Sequence, residues 1–190
     1  MTVRSLSALL LFVIAAVIAD AQSWKQTAPE SFRANGQITS AAGGAASGID
    51  IRIERYTTDA EHAAMVAALK AGGNEGFIAE LKKAPAIGAV KIGPRSVAVR
   101  WARAQPQSDS RRIVVVTGEP VFFAGAGAVD AKPTAGYDIA VLEFTVDSVG
   151  LGNGTMAPAA RVKPGGPAGV VVEDYSGKRV TLVTVSRNPK

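Results

Sequence analysis

The chain has 190 residues, with 21 Lys and Arg against 16 Asp and Glu, which gives a formal net charge of +5. It contains no cysteine and a single histidine, so disulfides, thiol catalysis, thiolate zinc sites, iron–sulfur clusters and multi-histidine metal sites are excluded. Hydrophobic residues make up 47% of the chain and charged residues 19%, which argues against general disorder. We expect a folded protein with no cofactor.

Residues 1–21 have the three parts of a cleavable secretory signal peptide. Arg4 supplies the positive charge, Leu6 to Ile18 form the apolar run, and small residues stand at the two positions that a signal peptidase inspects, before a cut after Ala21. The run is shorter than the roughly 20 residues of a membrane-spanning helix, but a retained anchor stays open as an alternative. We therefore expect export to the periplasm or exterior of a bacterial cell, with no membrane span after cleavage.

After a short leader at 22–29, one domain is predicted over 30–190. Ser31 to Ile38 is typical of a strand, and the Ser, Ala and Gly run at 40–48 predicts a flexible connection. Apolar and polar residues then alternate over 49–54, which predicts a strand with one buried face and one wet face.

A helical hairpin is predicted at about 58–84. Thr58 and Glu61 have the spacing of a capping box, and Gly72-Gly73 is typical of a helix end. A second apolar helical pattern follows and ends at Pro85.

From residue 86 onward the pattern favours strands. Val97, Val99 and Trp101 are predicted to share one face of a strand. A later strand has four apolar residues on one side: Ala140, Leu142, Phe144 and Val146. About eight or nine strands with segregated helices predict an α+β fold. The sheet is expected to be mostly antiparallel, as a curved sheet, half-barrel or sandwich, with the helical hairpin over one opening.

Three segments resemble those of an uncharacterised group of exported bacterial proteins. They are Ile53-Glu54-Arg55-Tyr56, residues 112–117 (RIVVVT) and residues 150–158 (GLGNGTMAP). The resemblance covers most of the chain after the signal. It implies export but no particular activity, and no functional residue is carried over.

Few residues are candidates for chemistry. His62 is the only candidate general base, and an envelope hydrolase that uses it is one alternative function. The glycines of 150–154 lack the lysine and following helix of a phosphate loop, so a turn is the simpler interpretation. The arginines are not gathered into a stripe with interleaved aromatics, so nucleic acid is not an expected partner.

The favoured hypothesis is a non-catalytic exported module that binds a partner, an envelope surface or a small apolar ligand. A β-rich domain with a helical lid can hold such a ligand in its interior. Its predicted contacts are Trp101 and Phe122, with Arg100 and Arg103 at the rim. A structural or self-assembling surface protein, with an unprotected edge at the last strand, is the remaining alternative.

Overall fold

The computed structural model describes residues 28–40, 43–122 and 134–189. It contains nine strands and one helix within these ranges. In chain order they are β1 (Glu30–Ser40), β2 (Gly43–Ile53), α1 (Asp59–Lys83), β3 (Gly88–Ile92), β4 (Arg95–Pro106), β5 (Ser110–Thr117), β6 (Ile139–Asp147), β7 (Leu151–Pro164), β8 (Val170–Tyr175) and β9 (Val180–Arg187).

The sheet closes on itself, so the predicted α+β half-barrel or sandwich is wrong. The strand order is β6-β5-β4-β3-β2-β1-β9-β7-β8, and a further pairing of β6 with β7 completes a closed antiparallel barrel of eight strands, with β8 as an extra strand. Closure depends on the 14 residues of β7. One edge of β7 pairs with β6, while the other edge pairs first with β9 and then with β8.

A flexible connection was predicted over residues 40–48, but residues 43–48 belong to a strand, while residues 41–42 lie outside the described residues. β2 begins at Gly43 and pairs with β1 in one unbroken register, from Ser40 opposite Gly43 to Glu30 opposite Ile53. Backbone hydrogen bonds hold this ribbon whatever its side chains are. Close packing also requires a small residue in it, because a Cβ on Gly36 would lie 2.7 Å from Ile49 Cδ1.

The lumen of the barrel is filled with apolar side chains. The predicted alternations in β2 and β6 are confirmed, because both sets of apolar residues point into the lumen. Phe32 and Phe144 meet there edge to face, with ring centroids 5.1 Å apart. The largest fully buried side chains of the lumen are Phe32, Phe144, Leu142, Ile49, Ile51, Ile53 and Ile113, each at most 1% exposed.

A β-bulge in β4 separates residues that were predicted to share a face. The pairing of β4 with β5 shifts register between Val99 and Trp101. An extra residue in a strand reverses the side-chain alternation beyond it. Val97 and Val99 therefore point into the lumen, while Trp101 packs on the outer wall of the barrel.

α1 covers that outer wall, and the expected helical hairpin is corrected to one kinked helix. It begins at the confirmed capping box of Thr58 and Glu61, and its only non-helical backbone angles are at Gly73 (φ 59°, ψ −153°). Its buried residues pack with Trp101 and with outward side chains of β5 to β8. In the part of the chain that the structure describes, no helix is long and apolar enough to cross a membrane.

Candidate functional site

Arg100 and Arg103, predicted as rim residues of a ligand cavity, instead hold the two ends of α1 against β4. Arg103 Nη1 donates to the Thr57 carbonyl at 3.0 Å and to Asp59 Oδ1 at 2.9 Å, at the start of the helix. Arg100 Nη1 donates to the carbonyl of Ala84, at its end. A straight helix of 25 residues is about 37 Å long, whereas positions 100 and 103 of a strand lie only about 10 Å apart. The kink at Gly73 therefore brings both ends back to one strand.

Trp101 and Phe122, the predicted ligand contacts, are both buried. Trp101 is fully buried between α1 and the barrel wall, and its indole Nε1 has no hydrogen-bond partner among the described residues. Phe122 is buried but belongs to neither apolar cluster of the described chain. The predicted ligand-binding role of these residues stays a prediction, although Trp101 packs within the apolar cluster under α1.

His62 lies on the first turns of α1, over Trp101. The two ring centroids are 5.9 Å apart, and His62 Nδ1 is buried without a hydrogen-bond partner among the described residues. Burial and then the charge of Arg103 lower the pKa of His62, against an opposing effect of Asp59. No described serine, threonine or carboxylate hydrogen-bonds to the imidazole. The geometry expected for a hydrolase is therefore not present in the described ranges.

Two further expectations concern metals and strand edges. No cluster of three or more His, Asp or Glu that could hold a metal ion occurs in the residues that the structure covers.

The last strand, β9, was expected to have an unprotected edge, but it pairs with both β1 and β7. β8 pairs within the sheet only with β7, and its exposed residues include two carboxylates, a charge pattern that discourages edge-to-edge pairing.

A buried cluster of three polar side chains closes one end of the lumen. Glu30 at the start of β1 and Arg111 near the start of β5 form an ion pair of 2.7 Å, with side chains 3% and 7% exposed. Tyr56 Oη donates to the other carboxylate oxygen at 2.8 Å. Burial and the neighbouring Glu30 charge raise the pKa of the Tyr56 phenol, so it stays a donor at neutral pH. We call these three residues the lumen seal.

Outside the lumen seal lies a concave surface that we call the rim groove. Its volume is about 470 Å³. It forms where β1 and β9 meet at the barrel end, since Asn188 N donates to the Ser31 carbonyl and Ser31 pairs with Arg52 of β2. Its lining residues are Pro29, Glu30, Ser31, Arg52, Arg187, Asn188 and Pro189.

The charges of the rim groove are two arginines and one carboxylate, and the carboxylate is already neutralised. Both oxygens of Glu30 are engaged within the lumen seal. Arg187 is exposed and forms no ion pair with a described residue. Arg52 approaches Glu54 only at 3.5 Å, and both side chains are more than half exposed, so water weakens this pair. The groove therefore presents a surplus of positive charge and hydrogen-bond donors.

Sequence reasoning missed the rim groove. Arg52 and Arg187 are 135 positions apart, and only the β1–β2 and β1–β9 pairings bring them to one edge. The alternation over residues 49–54 did predict Arg52 on the wet face. No comparable signal marked Arg187.

Comparisons of this chain with protein-family models, with curated proteins and with solved structures found no match in any of the three.

Proposed function

We propose that the protein is an exported, non-catalytic module that binds an anionic group of a cell-envelope component in the rim groove. The observation that carries this proposal is the pair of arginines in the groove, Arg52 and Arg187, beside a carboxylate that Arg111 already neutralises. Guanidinium groups bind carboxylate and phosphate with paired donors, and they do so best where the surface is concave.

The filled lumen favours a surface site over an internal one. An eight-stranded barrel is wide enough either for its own side chains or for one small ligand, and here large, fully buried side chains occupy the lumen. The lumen seal adds a charged pair at one end, which an apolar ligand would have to displace. The interior thus offers little support for the apolar-ligand version of the hypothesis.

Export is the second part of the proposal, and it rests on residues 1–21 of the sequence. We expect the protein recovered from an exporting bacterial host to have an intact mass that starts at Gln22. A mass that starts at Met1 would contradict cleavage and favour the retained anchor.

Binding is tested with dextran sulfate, a soluble polyanion, by fluorescence anisotropy of the labelled polymer. The variant Arg52→Ala/Arg187→Ala removes the two groove cations. We expect an affinity about tenfold lower or more, because each cation contributes roughly 1 kcal/mol to a charge-assisted contact. The affinity of the unmodified protein should fall as salt rises.

The matched control is Lys178→Ala/Arg179→Ala. It also removes two positive charges, but at the turn before β9, at least eight residues and about 26 Å from Arg187 along the strand. Equal loss in both double variants would mean that net charge alone drives binding, and the groove would then have no special role. Uncharged dextran should not bind to any of the proteins.

A further inference from the structure

The turn between β6 and β7 carries two exposed apolar side chains. Val149 is 71% exposed and Leu151 is 53% exposed, and among the described residues the remaining exposed large hydrophobic side chain is Tyr175. Single exposed apolar residues are common, but two on one tip are a local feature. We call residues 147–151 the rim turn.

The rim turn is held in shape by its own hydrogen bonds. Asp147 Oδ1 accepts from the backbone N–H groups of Val149 and Leu151, at 3.0 and 2.9 Å. Gly150 between them has φ 88°, a conformation that favours glycine. Because the backbone is already ordered, the turn presents the two side chains with little further loss of backbone entropy on binding.

The rim turn lies beside the rim groove. Arg187 N donates to the Gly150 carbonyl at 2.8 Å, and the next residue, Asn188, donates to Ser31 in the groove. Neighbouring strands are about 4.8 Å apart, so turn and groove are within roughly 10 Å. The Arg187 side chain lies across Gly150, since a Cβ there would be 2.7 Å from Arg187 Cβ. Apolar groups and cations therefore share one end of the barrel.

The N-terminal part of the chain enters the barrel at the end that carries the rim groove and the rim turn. Pro29 lines the rim groove, and nine residues, 19–27, separate Ala28 from the apolar run that ends at Ile18. Nine residues span at most about 32 Å. Any membrane that holds this run during or after export is thus within reach of the rim turn.

We propose that the rim turn inserts Val149 and Leu151 into the surface of a membrane that contains anionic phospholipids, while Arg52 and Arg187 contact the headgroup phosphates. This inference rests on the proposed function and names the envelope component as a lipid surface. Apolar side chains that enter the boundary between headgroups and acyl chains, with cations beside them, are the usual elements of interfacial binding. Two carboxylates oppose binding, because Asp147 belongs to the rim turn and Glu54 lies 3.5 Å from Arg52, so binding is weak and reversible and requires anionic lipid.

The test uses the protein recovered from an exporting bacterial host, with its N-terminus read from the intact mass. It is mixed with vesicles of phosphatidylcholine alone or with 30% phosphatidylglycerol added, and bound protein is measured by sedimentation. We expect binding to the anionic vesicles that falls about tenfold in Val149→Ser/Leu151→Ser. Both side chains are exposed, so the urea midpoint of this variant should equal that of the unmodified protein.

A second variant reports insertion directly. In Leu151→Trp, the new indole should be quenched by bromine on the acyl chains of anionic vesicles, beyond the quenching of the unmodified protein. This difference is measurable whether or not residues 1–21 are retained. Absence of extra quenching, or equal binding by Val149→Ser/Leu151→Ser, overturns the inference.

The outcomes separate this inference from the proposed function. If dextran sulfate binding depends on Arg52 and Arg187 but the protein does not bind vesicles, the proposal of a lipid surface is overturned and the anion-binding role of the rim groove stands. Competition by free glycerol phosphate that abolishes vesicle binding also overturns insertion, because it means that the phosphate alone is recognised. An equal loss of dextran sulfate binding in Lys178→Ala/Arg179→Ala contradicts the proposed function, because the rim groove would then have no special role.

Discussion

The two sides of the barrel wall are both buried, but they are closed in different ways. The lumen is filled from all eight strands and sealed by an ion pair whose two side chains are less than a tenth exposed. In the described chain, the outer wall is covered from β4 to β8 by one helix. Arg100 and Arg103 attach it at its two ends, and Asn74 attaches its middle, because Asn74 Oδ1 accepts from the buried Val162 N–H of β7. In the ion pair at the start of α1, the Asp59 side chain is 93% exposed, whereas that of its partner Arg103 is 18% exposed.

This difference determines where the molecule tolerates change. A charge left alone in the lumen cannot reach water, whereas a charge left alone at the end of α1 is already in water. We therefore expect the lumen seal to be sensitive to single substitutions. The attachments at the start of the helix should be individually weak and, at Glu61 and His62, dependent on pH.

The largest expected effect is that of Arg111→Met, which leaves the Glu30 carboxylate buried without a cation. Breaking a buried pair from one side costs about 3–5 kcal/mol, because the remaining charge stays desolvated. Urea denaturation at pH 7 measures the loss. The double variant Glu30→Gln/Arg111→Met should recover a large part of it, since no charge is left unpaired.

Arg103→Met is the matched substitution on the outer wall. It removes a similar pair of contacts, to Thr57 and Asp59, but Asp59 stays solvated. We expect a loss of about 1 kcal/mol. Equal losses for Arg103→Met and Arg111→Met would contradict the distinction between the two sides.

The kink of α1 is tested by Gly73→Ala. The φ and ψ of Gly73 lie in a region almost confined to glycine, and no atom lies within 4 Å of an added Cβ, so the effect is purely backbone strain. We expect a loss of about 1–3 kcal/mol in urea denaturation. Gly72→Ala is the control, because it has the same free space without the positive φ. It should stabilise the protein by up to about 1 kcal/mol, and a similar loss in both variants would contradict the strain argument.

Local signals in the sequence predicted the elements well, but not their closure. The alternation at Ile49, Ile51 and Ile53 and the capping box at Thr58 are short-range patterns, and the structure has both. Closure requires β7 to pair with β6, β8 and β9, and these pairings between strands far apart in the chain leave no periodic mark. The same holds for the glycine-rich start of β2, where backbone pairing alone makes the strand.

The candidate site was missed for two physical reasons. The bulge between Val99 and Trp101 reverses the alternation of β4, and the sequence carries no Gly or Pro there to mark it. Trp101 was therefore assigned to the wrong side of the wall, and its neighbouring arginines to the rim of a cavity. The arginines of the rim groove, Arg52 and Arg187, are neighbours only through strand register.

The start of α1 should show a pH-dependent stability through Glu61. Hydrogen bonds from Arg55 and from the Thr58 backbone lower the pKa of Glu61 from 4.5 to about 2. A carboxyl group with a lowered folded pKa stabilises the protein above pH 4.5, and this contribution is lost as the pH falls from 4.5 to about 2. Glu61→Gln should lower the free energy of unfolding by about 1 kcal/mol at pH 7 and should have almost no effect at pH 2. The value at pH 7 is small because the pair of Arg55 and Glu61 is partly exposed to water.

Glu80→Gln is the control for Glu61→Gln, measured by urea denaturation between pH 2 and 7. Glu80 pairs with Lys83 at the other end of α1, one turn apart, and Lys83 is well exposed. Its loss should cost less than about 0.5 kcal/mol. A pH-independent difference between Glu61→Gln and the unmodified protein would contradict the assigned pKa.

The smallest expected effect is that of His62→Phe, which separates packing from titration in the contact with Trp101. Burial and Arg103 lower the pKa of His62 below its ordinary value of 6.5, so the unfolded chain binds the proton more readily. Stability should therefore decline as the pH falls below 6.5, before Glu61 begins to titrate at about 4.5. Phenylalanine keeps a ring over Trp101 but cannot bind a proton, so the decline between pH 6.5 and 5 should disappear in urea denaturation. If the decline in stability persists in His62→Phe, a group other than His62 causes it. Asp59→Asn should make the decline steeper, because the Asp59 carboxylate opposes the lowering of the His62 pKa.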